Sequence, residues 1–239
     1  MILKKSTKLT LAASLALLLA TPAGAEEWKY DLEIYLLGAG LDGTTGVGPL
    51  ETEIDLSFGD VLENLELSAM TLFRARKGRW AFLGDLIFMG LGASNEVADV
   101  DADQLVLEGL GVYMVTDRFG VLFGGRYVDI RNEIDFRGPL GLRVRGGDSW
   151  VDPVVGLGVE APMSERWTFY GRGDIGGFGV GSDFSYQIKL NFGYRPSERY
   201  SLRFGYRLLD IDYDDGTGAD RFLYDVVASG PTLGFVFHF

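Results

Sequence analysis

Cysteine is missing from the 239 residues altogether, and histidine occurs once. Without Cys there is no disulfide, no thiolate metal site and no Cys nucleophile. A single His excludes a His-rich zinc site and leaves any His-dependent catalysis hanging on His238. Basic residues are scarce: 22 Lys and Arg stand against 34 Asp and Glu, a formal net charge of −12. Nucleic acid, whose binding rewards clustered Lys and Arg through counterion release, is therefore not an expected partner. Beyond the N-terminus no uncharged run approaches the roughly 20 residues that a helical membrane span needs. What the chain does have is 34 Gly, 13% aromatics and 47% hydrophobic residues, too apolar a composition for a disordered chain.

The first 25 residues read as a cleaved secretory signal. Lys4, Lys5 and Lys8 precede an apolar stretch over 9–20, and Ala23 and Ala25 supply an A-x-A cleavage site. Those twelve apolar residues would cover about 18 Å as a helix, well short of a ~30 Å hydrocarbon core, so cleavage is expected rather than a transmembrane anchor. Cleavage removes three Lys and no acid, leaving 26–239 as a single domain with no linker or composition shift.

That domain alternates with period two. Trp28, Tyr30, Leu32, Ile34 and Leu36 share one phase, against Lys29, Asp31 and Glu33. Phe184, Tyr186, Ile188, Leu190, Phe192 and Tyr194 alternate with Ser185, Gln187, Lys189, Asn191 and Gly193, and 200–208 repeats the pattern. A period of two makes strands with one apolar and one polar face. Short turns at 76–79, 116–118, 164–166 and 196–199 alternate with longer Gly/Asp/Ser-rich loops at 92–102, 137–148 and 209–220. This is an up-and-down meander.

In a soluble ligand-binding barrel the apolar phase faces inward; in a membrane barrel it faces lipid. The aromatics decide for lipid. Trp28, Trp80, Trp167 and Tyr200 each begin a strand in the apolar phase, and Tyr113 and Tyr194 end strands just before short turns. All six fall at one level, as an interfacial girdle requires. At the end of the chain Leu233, Phe235, Phe237 and the terminal Phe239 alternate with Thr232, Gly234, Val236 and His238. This ending resembles the C-terminal assembly signal of bacterial outer-membrane β-barrel proteins, with Phe235, Phe237 and Phe239 as its aromatic series. A looser likeness to small outer-membrane proteins of unassigned role runs through Trp28, Gly43, 57–62 and 76–80. The resemblance implies the outer membrane of a Gram-negative bacterium, its lipids and lipopolysaccharide as surroundings, and the barrel-assembly machinery as a partner during biogenesis.

With both ends periplasmic the strand number is even. Strands over 28–41, 66–76, 79–91, 103–115, 119–131, 149–162, 167–179, 183–195, 200–213 and 224–239 make ten, and eight or twelve also satisfy parity. The fold class expected is thus all-β, a transmembrane antiparallel up-and-down β-barrel. The stretch 50–58 alternates as cleanly but spoils the parity, so with a short helical turn at 59–65 it forms an extracellular-side insertion near 42–65.

The inward phase carries Asp85, Glu108, Arg126, Arg172, Asp174, Lys189, Arg203 and Arg207, together with Lys29, Asp31, Glu33, Arg74, Asp152 and Glu160. Seven cations face seven acids. Buried charges persist only when paired, so the expectation is a self-neutralising network in a narrow lumen. The alternative is a charged constriction that selects small solutes. Surplus acids fall in loops, at Glu96, Asp99, Asp101 and Asp103 and at Asp210, Asp212, Asp214, Asp215 and Asp220. Asp210-x-Asp212-x-Asp214 departs from a calcium loop at positions six, Asp215, and twelve, Arg221. These acids are expected to be solvated and without a metal, or to bridge weakly through divalent cations to lipopolysaccharide phosphates. With no phosphate loop or cofactor motif, and no Ser or Asp that spacing places beside His238, neither cofactor nor enzymatic activity is expected. The reading is a narrow-lumen structural or surface-interaction barrel of the outer membrane. The alternative is a small porin-like channel.

Overall fold

The computed structural model describes residues 27–94, 98–136 and 143–239. The signal segment 1–25, Glu96 and the loop residues 137–142 lie outside the described residues. Ten antiparallel strands close a barrel: β1 (Lys29–Leu37), β4 (Leu65–Lys77), β5 (Trp80–Ser94), β6 (Ala98–Met114), β7 (Phe119–Phe136), β8 (Arg143–Pro162), β9 (Trp167–Gly177), β10 (Phe184–Tyr194), β11 (Tyr200–Asp215) and β12 (Phe222–His238). Each pairs with the next in chain order, and β1 closes on β12 with Asp31 opposite His238 and Ile34 opposite Phe235.

Between β1 and β4 lies an insertion made of a hairpin, β2 (Gly40–Val47) and β3 (Leu50–Leu56), and one helix, α1 (Phe58–Glu63). β1 stops at Leu37, shorter than the 28–41 expected, and the cause is on its neighbour. β1 follows β12 as far as Leu37 opposite Thr232, and β2 resumes at Gly40 opposite Ser229. The interruption falls beside Pro231, which has no N–H to give the ladder; its carbonyl instead accepts from the Gly38 N–H at 2.8 Å. The 50–58 stretch is a strand over Leu50–Leu56, but it pairs with β2 outside the ring of ten. α1 begins at a capping box, where the Ser57 hydroxyl and the Asp60 carboxylate each satisfy the other's backbone N–H.

Two strands are far longer than a membrane needs. β7 and β8 run 18 and 20 residues, where about 9–11 cross the bilayer. Both strands extend past that length on the long-loop side. There the chemistry of the two faces exchanges. In β7 the outward series is Phe119, Val121 and Phe123 and then Asp129, Arg131 and Glu133; the inward series is Arg126 and then Val128 and Ile130. In β11 the outward residues pass from Leu202, Phe204 and Tyr206 to Asp210, Asp212 and Asp214, while the inward ones pass from Arg203 and Arg207 to Leu209, Ile211 and Tyr213.

The raised part has its own core. Tyr35, Leu41, Val61, Met70, Ile87, Val106, Val128, Trp150, Tyr213 and Val226 belong to one buried apolar cluster. The expectation that the inward phase is polar throughout is thus corrected for this half, and in part for the other, where Ala81, Leu110, Val112, Met114, Leu122 and Val154 form a second buried apolar cluster. In the raised half an inward apolar layer excludes water, as in a soluble protein, while the outward face carries the charges. The short β9–β10 hairpin lets the tall strands on either side lean together over it. Trp150 of β8 stacks on Tyr213 of β11 with ring centroids 3.8 Å apart, and the Tyr213 hydroxyl donates to Asp148 at 2.6 Å. A side chain at Gly146 would meet a Val47 methyl at 2.2 Å, so only Gly lets β8 come this close to β2.

Candidate functional site

The inward charges meet at mid-height. Arg126, fully buried, donates from Nε to Glu108 at 2.8 Å, from one terminal nitrogen to Asp174 at 2.6 Å and from the other to the Ser185 hydroxyl at 3.1 Å. Arg172 pairs with the same two acids, each at 2.7 Å. Arg207 bonds Asp85 and the Tyr35 hydroxyl, both at 3.0 Å. Lys189 lies 3.8 Å from Asp85 and 4.7 Å over the Tyr35 ring. Arg203 pairs with Glu33 and stacks on Tyr170. Gln187 links Asp174 and Glu108 across the layer.

Seven of the eight sequence-selected lumen residues, Asp85, Glu108, Arg126, Arg172, Asp174, Lys189 and Arg207, thus form one connected layer, joined across it by Arg207 and Glu108 at 3.9 Å, and the eighth, Arg203, forms a separate buried pair with Glu33 beside it. Strands β1, β5, β6, β7, β9, β10 and β11 each send at least one side chain to it. Forked guanidiniums bridging carboxylates from different strands neutralise a section of lumen that water barely reaches.

Sequence reading did not single out two further parts of this layer. Tyr35 sits in the inward phase of a strand chosen for its charges, and its hydroxyl donates to Asp85 at 2.7 Å. Ser182, in the β9–β10 loop, turns into the barrel and donates its N–H and hydroxyl to the buried Asp152 at 2.7 and 2.8 Å. The loop reverses through Gly177 at φ +84° and Phe178 at φ 56°. No alternation marks such a residue; only the tertiary closure of the loop does.

The space on either side of the layer differs sharply. Above it, the cavity lined by Met70, Ile87, Val106, Arg207 and Leu209 measures about 20 Å³, less than one water's share of liquid. Below it lies a pocket of about 130 Å³ between Leu83, Val112 and Leu122 and the polar Arg172, Lys189 and Asn191. Below that, a polar basin of about 850 Å³ opens at the short-turn end, lined by Lys29, Asp31, Arg74, Glu160, Arg166 and His238 among others. Arg74 and Arg76 are both paired with Glu160 there, at 2.6 and 3.5 Å.

On the outer wall Trp28, Trp80, Trp167 and Tyr200 are partly exposed. Trp80 packs on Tyr113 at 5.0 Å and Trp167 on Tyr194 at 4.9 Å, all beside the short turns. Phe235, Phe237 and Phe239 point outward on the last strand, with Tyr200 stacked on Phe235 at 5.6 Å. Among the described residues no group of three or more His, Asp or Glu is arranged to hold a metal ion.

No family model and no curated protein matches the chain. Solved structures similar to it include the translocator domain of the autotransporter NalP from Neisseria meningitidis, 12% identical over 89% of this chain and 88% of that one, TM-score 0.44. Ail, the attachment invasion locus protein of Yersinia pestis, is 12% identical over 90% and 99%, TM-score 0.39. The toluene transporter TbuX of Ralstonia pickettii is 10% identical over 89% of each chain, TM-score 0.40. At these identities and scores the likeness carries nothing about activity.

Proposed function

We propose that this chain is an integral outer-membrane β-barrel whose lumen is closed, serving as a structural or surface-interaction protein. On this reading the N-terminal segment exports it, Phe235, Phe237 and Phe239 guide its assembly by the barrel machinery, and the wall below the charge layer sits in the membrane. The apolar outer face, the aromatics beside the short turns and the strand lengths support the membrane placement. The raised, acid-studded half then stands at the height of lipopolysaccharide headgroups, where surface partners are met.

The single observation that carries the closed lumen is Arg126. It is fully buried and bonded at once to Glu108, Asp174 and Ser185, and the cavity beside Arg207 just above it measures about 20 Å³. An ion path needs hydrated room, and here guanidinium and carboxylate groups occupy it. Planar-bilayer recording of the refolded protein tests the reading. The expected result is no regular conductance steps; sustained unitary conductance in the wild-type protein overturns closure in favour of a small porin-like channel.

A further inference from the structure

At the short-turn mouth the sole histidine joins a second constellation, outside the mid-lumen layer. His238 Nδ1 lies 2.6 Å from Asp31 Oδ1, and its Nε2 lies 3.0 Å from Ser201 Oγ. The three residues sit on three adjacent strands, β1, β12 and β11. Asp31 is directly opposite His238, and Ser201 stands opposite Val236, one inward position away. The atoms follow a strict division of labour: carboxylate on one ring nitrogen, hydroxyl on the other. That is the arrangement in which an acid orients an imidazole and the imidazole takes a proton from a serine. The polar basin of about 850 Å³ is lined by both Asp31 and His238. Ser201 itself is 6% exposed and faces inward beside them.

We infer that Asp31, His238 and Ser201 form a nucleophilic triad, with Asp31 and His238 lining the basin and Ser201 buried beside them, acting on small carboxylic esters that enter from the periplasmic side. This departs from the non-enzymatic expectation drawn from the sequence. In the first step Ser201 Oγ attacks the ester carbonyl carbon while its proton passes to His238 Nε2. Asp31, on Nδ1, holds the ring and offsets the imidazolium charge. The carbon–oxygen bond to the alcohol then breaks, and His238 returns the proton to the departing oxygen. A water, deprotonated by His238, attacks the acyl-serine, releases the carboxylic acid and restores Ser201. Ester and water become acid and alcohol, so no other reactant is needed. Lys29 lines the same basin one inward position nearer the mouth than Asp31 and makes no ion pair among the described residues.

The test uses the refolded full-length barrel in detergent. A fluorophosphonate probe is applied and its attachment site read by peptide mass spectrometry, alongside hydrolysis of p-nitrophenyl acetate. The expected result is label on Ser201, and hydrolysis about 100-fold or more slower in Ser201→Ala and His238→Asn that keep heat-modifiable migration. Ser164→Ala, in a turn away from the trio, retains the wild-type rate. Absence of label from Ser201 in the folded wild-type protein overturns the inference, whether or not the variants fold. Equal hydrolysis by folded Ser201→Ala and wild type does the same, and leaves the trio as a hydrogen-bonded stitch across the seam where the first strand meets the last.

Discussion

Below Arg126, Lys189 and Arg207 the wall is apolar outside and carries charges within beside a smaller apolar patch of Leu110, Val112, Met114 and Leu122; above them it is acidic outside and apolar within. One continuous set of strands builds both halves, so backbone propensity does not separate them. On the proposed membrane placement, their surroundings do. Where the outside is lipid, the outward phase must be apolar, and the inward phase is free to carry charges as long as these pair. Where the outside is water, the apolar phase turns inward and packs as Trp150, Tyr213, Tyr224 and Val226 do. The charge layer marks the crossover. Above it lies an apolar core, and below it the lumen widens to the basin.

The comparison can be broken most forcefully with one large change in each half. Arg126→Ala leaves Glu108 and Asp174 short of a buried partner and should destabilise the barrel by about 3–5 kcal/mol. Trp150→Ala should cost a similar ~3–5 kcal/mol by opening a cavity under the Tyr213 ring. Urea unfolding of each variant in lipid vesicles measures both. If Trp150→Ala proves neutral, the raised half is not a packed core; if Arg126→Ala does, the layer is hydrated and the closed lumen is lost with it.

A second pair moves the same cation along the outer face. Leu190→Arg, outward in mid-membrane, should destabilise by about 2–4 kcal/mol. Asp212→Arg, outward in the raised half among Asp210, Asp214 and Asp225, should change stability by no more than about 0.5 kcal/mol. Equal costs would mean that the bilayer reaches higher than the exchange of faces implies.

The smallest effect concerns pH at the rim. The Arg221 guanidinium, bonded to both oxygens of Asp214 at 2.8 Å, holds that carboxyl below its ordinary value. A carboxyl depressed on folding contributes its stability above the unfolded value and loses it as pH falls through the folded one. Unfolding at pH 7 and at pH 3 should therefore differ less in Asp214→Asn than in wild type. For so exposed a pair the gap is ~0.5 kcal/mol or less. A gap of opposite sign would show that the pair is not formed in solution.

Much of this molecule was already legible as alternation. Period two, with short turns at one end and long loops at the other, determined an antiparallel meander, and the count of alternating segments, held to an even number, pointed to ten strands. The inward phase of Asp85, Glu108, Arg126, Asp174 and Lys189 followed from the same count. The exchange of faces also left a trace, since in β7 the charged phase shifts from Arg126 to Asp129, Arg131 and Glu133. Reading each strand as a single amphipathic unit hides it.

What alternation leaves undetermined is register between strands distant in sequence. Asp31 and His238 lie 207 residues apart and Ser201 lies 37 from His238, yet closure of the first strand on the last makes them neighbours. Loop closure carries Ser182 to Asp152, and the missing N–H of Pro231 divides β1 from β2. Side-chain periodicity is local, because it follows from pleat geometry within one strand. Which side chains meet across a lumen depends on strand tilt and stagger, and these exist only once the ring has closed.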